Sequence, residues 1–127
     1  MGIYLQGIDM TEKQLNTLVD SILDDGPLEV EIREPNMLHS YNQLFVRKDG
    51  MLVGYFTYRI GSEFYFEKDF IEANGVVNML EWTDMFKVVK GVFKKMVSML
   101  GTRIPKKVYP QDLTFQGKVG NGEYWFT

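Results

Sequence analysis

With 127 residues, 45% of them apolar and 14% aromatic, the chain has the size and composition of one globular domain, 1–127, that needs no metal or disulfide staple. It holds no cysteine, which excludes disulfides and thiolate chemistry and fits a reducing, cytoplasmic compartment. It shows no basic segment followed by an apolar run and no uninterrupted apolar window of about 18 residues, so neither a signal peptide nor a membrane span is expected.

The net charge of −3 is unevenly spread: eight acidic and two basic residues in 1–36, seven and four in 37–85, two and eight in 86–127. Such polarity either steers a partner or draws two segments of one fold together.

Residues 2–8 read as a first strand. Thr11 and Gln14 form a Thr-x-x-Gln capping box, and Leu15, Leu18, Val19, Ile22 and Leu23 lay one apolar stripe along the helix that follows. Asp25-Gly26-Pro27 stops that helix. Leu28, Val30 and Ile32 alternate with Glu29, Glu31 and Arg33, the pattern of a half-buried strand with one wet face. Residues 34–42 form a loop with the single histidine, His39. Asp49-Gly50 between two apolar runs marks a hairpin, and Gly61-Ser62 marks the next, so 28–68 reads as an antiparallel meander of four strands. Strict alternation on residues 51–59 places Met51, Val53, Tyr55 and Thr57 on one face, and Leu52, Gly54, Phe56 and Tyr58 on the other.

Residues 70–77 read as a connector with a turn at Asn74-Gly75. Asn78-x-x-Glu81 reads as a second capping box, before a helical stripe from Trp82 to Leu100 that Gly101 ends. Pro105 and Pro110 make 103–109 an edge strand or a loop, and 113–119 with 123–127 reads as a last hairpin around Gly120-Asn121-Gly122. The order is β-α-β-β-β-β-α-β-β: an α+β fold with a mostly antiparallel sheet and two amphipathic helices on one face.

No catalytic set emerges. Ser21, Ser40, Ser62 and Ser98 are the candidate hydroxyl nucleophiles and His39 the only imidazole; a polar loop histidine is the plainer reading. Asp20, Asp24 and Asp25 cluster without a histidine or a spaced loop, so they read as a solvated helix face and no metal is expected. Two binding surfaces stand out. Lys87, Lys90 and Lys94 share one helix side, joined by Lys95, which suits a solvated face first, an acidic protein partner next and nucleic acid last. Tyr55, Tyr58 and Tyr65 belong to a surplus of aromatics on both faces of the meander. Either two helices leave one face for a partner or a second copy, or long aromatics wrap the sheet edge and the C-terminal hairpin covers the rest.

The element order in 1–109 resembles the GNAT (Gcn5-related N-acetyltransferase) fold. Phe45-Val46-Arg47-Lys48-Asp49-Gly50-Met51-Leu52-Val53-Gly54-Tyr55-Phe56 is similar to that family's common hairpin, and Leu100-Gly101-Thr102-Arg103-Ile104 to the exit from its long helix. The resemblance implies an acyltransferase using acetyl-CoA, with a glycine-rich loop cradling the pyrophosphate before the long helix. Residues 67–84 stand at that place and carry Glu67, Asp69, Glu72, Glu81 and Asp84 against Lys68 alone, which repels a pyrophosphate, so no cofactor and no catalytic residue are expected. Ile3-Tyr4-Leu5-Gln6-Gly7-Ile8-Asp9-Met10 is similar to the opening of small bacteriophage proteins of Gram-positive hosts. The expectation is a non-enzymatic protein-binding or inhibitor domain, a phage accessory or anti-defence protein occupying a surface of a larger host protein. A divergent GNAT-like acyltransferase is the second reading, and a virion component or homo-oligomer the third.

Overall fold

The computed structural model describes residues 10–38, 40–73, 80–110 and 112–127. The first strand expected at 2–8, His39 and the Asn74-Gly75 turn lie outside those residues. In chain order the elements are α1 (Glu12–Ile22), β1 (Glu29–Arg33), β2 (Asn42–Lys48), β3 (Met51–Tyr58), β4 (Ser62–Phe66), α2 (Lys68–Glu72), α3 (Trp82–Leu100), β5 (Phe115–Lys118) and β6 (Tyr124–Phe126). The six strands form one sheet in the order β1-β2-β3-β4-β6-β5, every neighbouring pair antiparallel. The class is α+β, as the patterning predicts. No helix among the described residues is long and apolar enough to cross a membrane.

Local chemistry explains the boundaries. Thr11 Oγ1 accepts from the Gln14 amide at 3.1 Å and Gln14 Oε1 accepts from the Thr11 amide at 2.9 Å, closing the capping box of α1. Asp49 and Gly50 both hold positive φ, 51° and 80°, as a two-residue hairpin between twisted strands requires. α3 ends at Gly101, which takes φ 55°.

Four features depart from the expected pattern. α2 fills part of the predicted connector, burying Phe70 and Ile71. α3 begins at Trp82 with Glu81 as its N-cap, so Glu81 is not the third helical residue of a box; Asn78 lies outside the described residues. Strict alternation fails on β3: Val46 pairs with Gly54 but Arg47 pairs with Leu52, so Val53 is an extra, bulged residue. The bulge turns Val53 into the core, fully buried, while Met51 stays exposed. β1 also departs from the half-buried reading. As the outer strand it buries little, and burial fades from Leu28 to Ile32, which is 54% exposed.

The core lies on one face of the sheet. The Phe93 ring of α3 stacks on Phe126 at 4.2 Å and meets Phe64 at 5.3 Å and Phe56 and Phe66 at 6.3 Å. α1 crosses α3 at Gly91, where a Cβ would stand 2.8 Å from Val19 Cγ2. Lys95 seals the crossing with Asp20 at 2.7 Å and Asp25 at 3.2 Å. Acidic and basic ends of the sequence are thus joined inside the fold.

Candidate functional site

Because the helices occupy one face, strand alternation sends another set of side chains to the opposite face. Register then aligns them. Phe45 on β2 stands opposite Tyr55 on β3, Tyr55 opposite Tyr65 on β4, and Tyr65 opposite Trp125 on β6. The four rings form a ladder with centroid spacings of 5.6, 5.3 and 6.5 Å and interplanar angles of 24°, 22° and 14°. Each successive pair adds to its area of burial the attraction of stacked rings, roughly 0.5–1.5 kcal/mol. The guanidinium of Arg33 lies 4.2 Å from the Phe45 centroid and caps that end. Glu31 holds the cap in place, 3.0 Å from Arg33 and 2.8 Å from Arg47. Both faces of Tyr55 and of Tyr65 are therefore engaged by neighbouring rings. Among the described residues no helix packs on this face.

A cleft of about 560 Å³ lies over the ladder, within the range of roughly 300–1,000 Å³ typical of ligand sites. Its lining includes Tyr55 and Tyr65, with Tyr41 and Arg59 from one end of the strands and Val119, Gly120, Asn121 and Glu123 from the β5–β6 turn. That turn is fixed by the Gly122 amide donating to the Val119 carbonyl at 2.8 Å and the Val119 amide donating to the Glu123 carbonyl at 2.9 Å.

The β5–β6 turn also delivers a carboxyl pair. The register that sets Phe66 opposite Tyr124 brings Glu67 and Glu123 side by side on the open face. Like charges directly opposite in a sheet repel. Here one proton relieves the repulsion, because Glu67 is hydrogen-bonded to Glu123. Burial, that hydrogen bond and the charges of Glu123 and Asp69 push the Glu67 carboxyl up to about 7. Glu123 is buried, at 8% exposure, and held by donors. The Tyr55 hydroxyl donates to it, 3.0 and 2.9 Å from its two oxygens, and Asn121 Nδ2 donates to Oε1 at 3.0 Å. Burial first, then the Glu123 carboxylate, hold the Tyr55 phenol well above the usual tyrosine range. The pair puts an acidic wall beside the cleft that Glu123 lines.

Among the described residues, two polar atoms on this face lack a partner: Thr57 Oγ1 and Trp125 Nε1 are buried and unbonded. Thr57, 7% exposed, lines the cleft directly across from Glu63. An unsatisfied buried polar group is destabilising by about 1–3 kcal/mol, and a ligand supplying the missing bond removes that penalty.

The residues singled out from sequence fall on two sides of the sheet. Tyr55 and Tyr65 are neighbours in the ladder, whereas Tyr58 stands at the exposed end of β3, off the ladder. Lys87, Lys90, Lys94 and Lys95 belong to α3 on the core side. Lys95 is engaged by α1, and Lys87 lies 4.0 Å from Asp84. Lys90 and Lys94 flank a second groove, of about 370 Å³, with Phe93, Val97 and Leu113. Phe45, Trp125, Glu67 and Glu123 were not among those residues. For Phe45 and Trp125 the signal was an aromatic at the alternate, non-core position of the strand, visible only once the pairing register was known; Glu67 and Glu123 carried no such signal.

Within 67–84, Glu72 is turned to structure. Burial alone would raise its carboxyl, but donors from Tyr124 and Lys118 bring it below the usual range. Of the candidate nucleophiles, Ser62 donates to the Val108 carbonyl at 2.6 Å and Ser21 to the Leu18 carbonyl at 2.7 Å; His39 is outside the described residues. Among the described residues no group of three or more His, Cys, Asp or Glu side chains is placed to hold a metal ion.

The chain matches no protein-family model, no curated protein and no solved structure. Its function has to be argued from the site itself.

Proposed function

We propose that this chain is a non-catalytic binding domain that engages another protein through the open face of its sheet, acting by occupying a surface of that partner. One observation carries the reading: a contiguous aromatic ladder with a cleft above it and, among the described residues, no helix packed over it. Tyrosine and tryptophan are the residue types that concentrate binding energy at protein interfaces, because they bring large, stiff area at small entropy loss. The buried, unbonded Thr57 Oγ1 supports the reading, since a ligand would supply its missing bond.

The test compares two sides of one molecule. Immobilised protein is used to capture partners from the native host, with Tyr65→Ala on the open face and Lys90→Glu/Lys94→Glu on α3 as the variants. Both are checked for native circular dichroism. The open-face change should abolish capture while the α3 change leaves it intact. The reverse result would move the contact to the groove beside α3 and overturn the proposal. An acyltransferase would instead gain thermal stability with acetyl-CoA, by RT ln(1 + [L]/Kd). We expect no shift at millimolar cofactor.

A further inference from the structure

The cleft has a chemical preference of its own. Its lining carries the carboxylates of Glu63 and Glu123 against one cation, Arg59, and Glu67 adds a third carboxyl through its hydrogen bond to Glu123. No lysine or arginine among the described residues forms an ion pair with any of the three, although other acids on the surface have found cations: Glu31, Glu72, Asp20 and Asp24. The arginines at the β1 end, Arg33 and Arg47, are both paired with Glu31 and do not line the cleft. Tyr55 and Asn121 fix Glu123 in position, so the wall is built before any ligand arrives. The independent pointer is Thr57. Its Oγ1 is buried without a partner beside Glu63, and a hydroxyl oxygen there accepts an N–H.

We propose that the cleft over Tyr55 and Tyr65 receives a guanidinium or ammonium side chain of the protein partner, held by Glu123, Glu67 and Glu63 with Thr57 Oγ1 as a further acceptor. This rests on the protein-binding reading above and names the partner chemistry. The carboxylates carry the recognition, because the ring faces are already taken by neighbouring rings; the aromatic walls exclude water and strengthen the charge–charge attraction. A cation arriving at the pair replaces the shared proton. The groups facing Glu67 are Tyr55 from β3, Asp69 from α2 and Glu123 from the β5–β6 turn. None of these is a cation; Arg59, which lines the cleft, is the one internal competitor among the described residues.

The probes are Gly-Gly-Arg-Gly-Gly, its lysine, leucine and glutamate counterparts, and the full chain, followed by NMR through the Tyr55 and Tyr65 rings and the Thr57 methyl. The arginine and lysine peptides should shift these signals saturably, more weakly at high salt, and the leucine and glutamate peptides should not. Glu67→Gln and Glu123→Gln should each weaken the arginine peptide by about tenfold or more. Equal shifts from the leucine or glutamate peptide, undiminished binding by both glutamine variants, or no binding of any peptide overturns the cation assignment. Should the peptides fail while Tyr65→Ala still abolishes partner capture, the binding face stands and only its chemistry falls. Should Tyr65→Ala leave capture intact, the protein-binding reading itself falls.

Discussion

Replacing Glu67 by glutamine should stabilise the protein at neutral and alkaline pH and leave it unchanged in acid. The amide keeps the shape of the side chain, donates to Glu123, and removes the need for a shared proton. The folded carboxyl is raised from 4.5 to about 7, so the folded state binds its proton more tightly than the unfolded chain does. Wild-type stability is then full below pH about 4.5, falls as pH rises through about 7, and levels off above that. At about 1.36 kcal/mol per pKa unit the whole interval is worth roughly 3 kcal/mol, and solvent screening of this partly exposed group reduces it to about 1–2 kcal/mol. The assay is urea unfolding of wild type and variant across pH 4.5 to 8.5. Carboxyls outside the pair titrate in both proteins and cancel in the difference. The curves should meet near pH 4.5 and separate to about 1–2 kcal/mol at pH 8, the variant being the more stable. A constant difference with pH, or a variant less stable at pH 8, would refute the shared-proton account of the pair.

Two further substitutions test the fold that positions the site. Gly54→Ala drives a Cβ to within 2.6 Å of the Phe64 ring and against the Tyr65 carbonyl, so the ladder strands must part; a loss of about 1–3 kcal/mol or more is expected in urea unfolding. Lys95→Ala removes the tie between α3 and α1, whose acidic partners Asp20 and Asp25 are mostly exposed; a loss of about 0.5–1 kcal/mol is expected, vanishing at high salt.

Much of the architecture was legible because it is written in short-range chemistry. The Thr11–Gln14 box, the Asp49-Gly50 turn and Gly101 each act within a few residues, and each does what its composition dictates. The bulge at Val53 was not legible, since an extra residue in a strand shows only against its partner, where Val46 meets Gly54 and Arg47 meets Leu52. α2 escaped because five residues are too few to display a helical period. At the site, Tyr55 and Tyr65 could be singled out as surplus aromatics. The carboxyl pair could not: Glu67 and Glu123 are 56 positions apart and become neighbours only because β6 pairs with β4. The tie of Lys95 to Asp20 and Asp25 was hidden for the same reason, since it forms only across the α1–α3 crossing.

The position of β6 has a kinetic meaning. β2, β3 and β4 follow one another along the chain and close by local turns, so three rings of the ladder can stack early, at small loop-closure entropy. The fourth ring cannot. Trp125 reaches Tyr65 only when β6 slots between β4 and β5, a closure across about sixty residues that also brings Phe126 onto Phe93. Core completion and site completion are therefore the same late event. In a Trp82→Phe background, the fluorescence of Trp125 would time both at once.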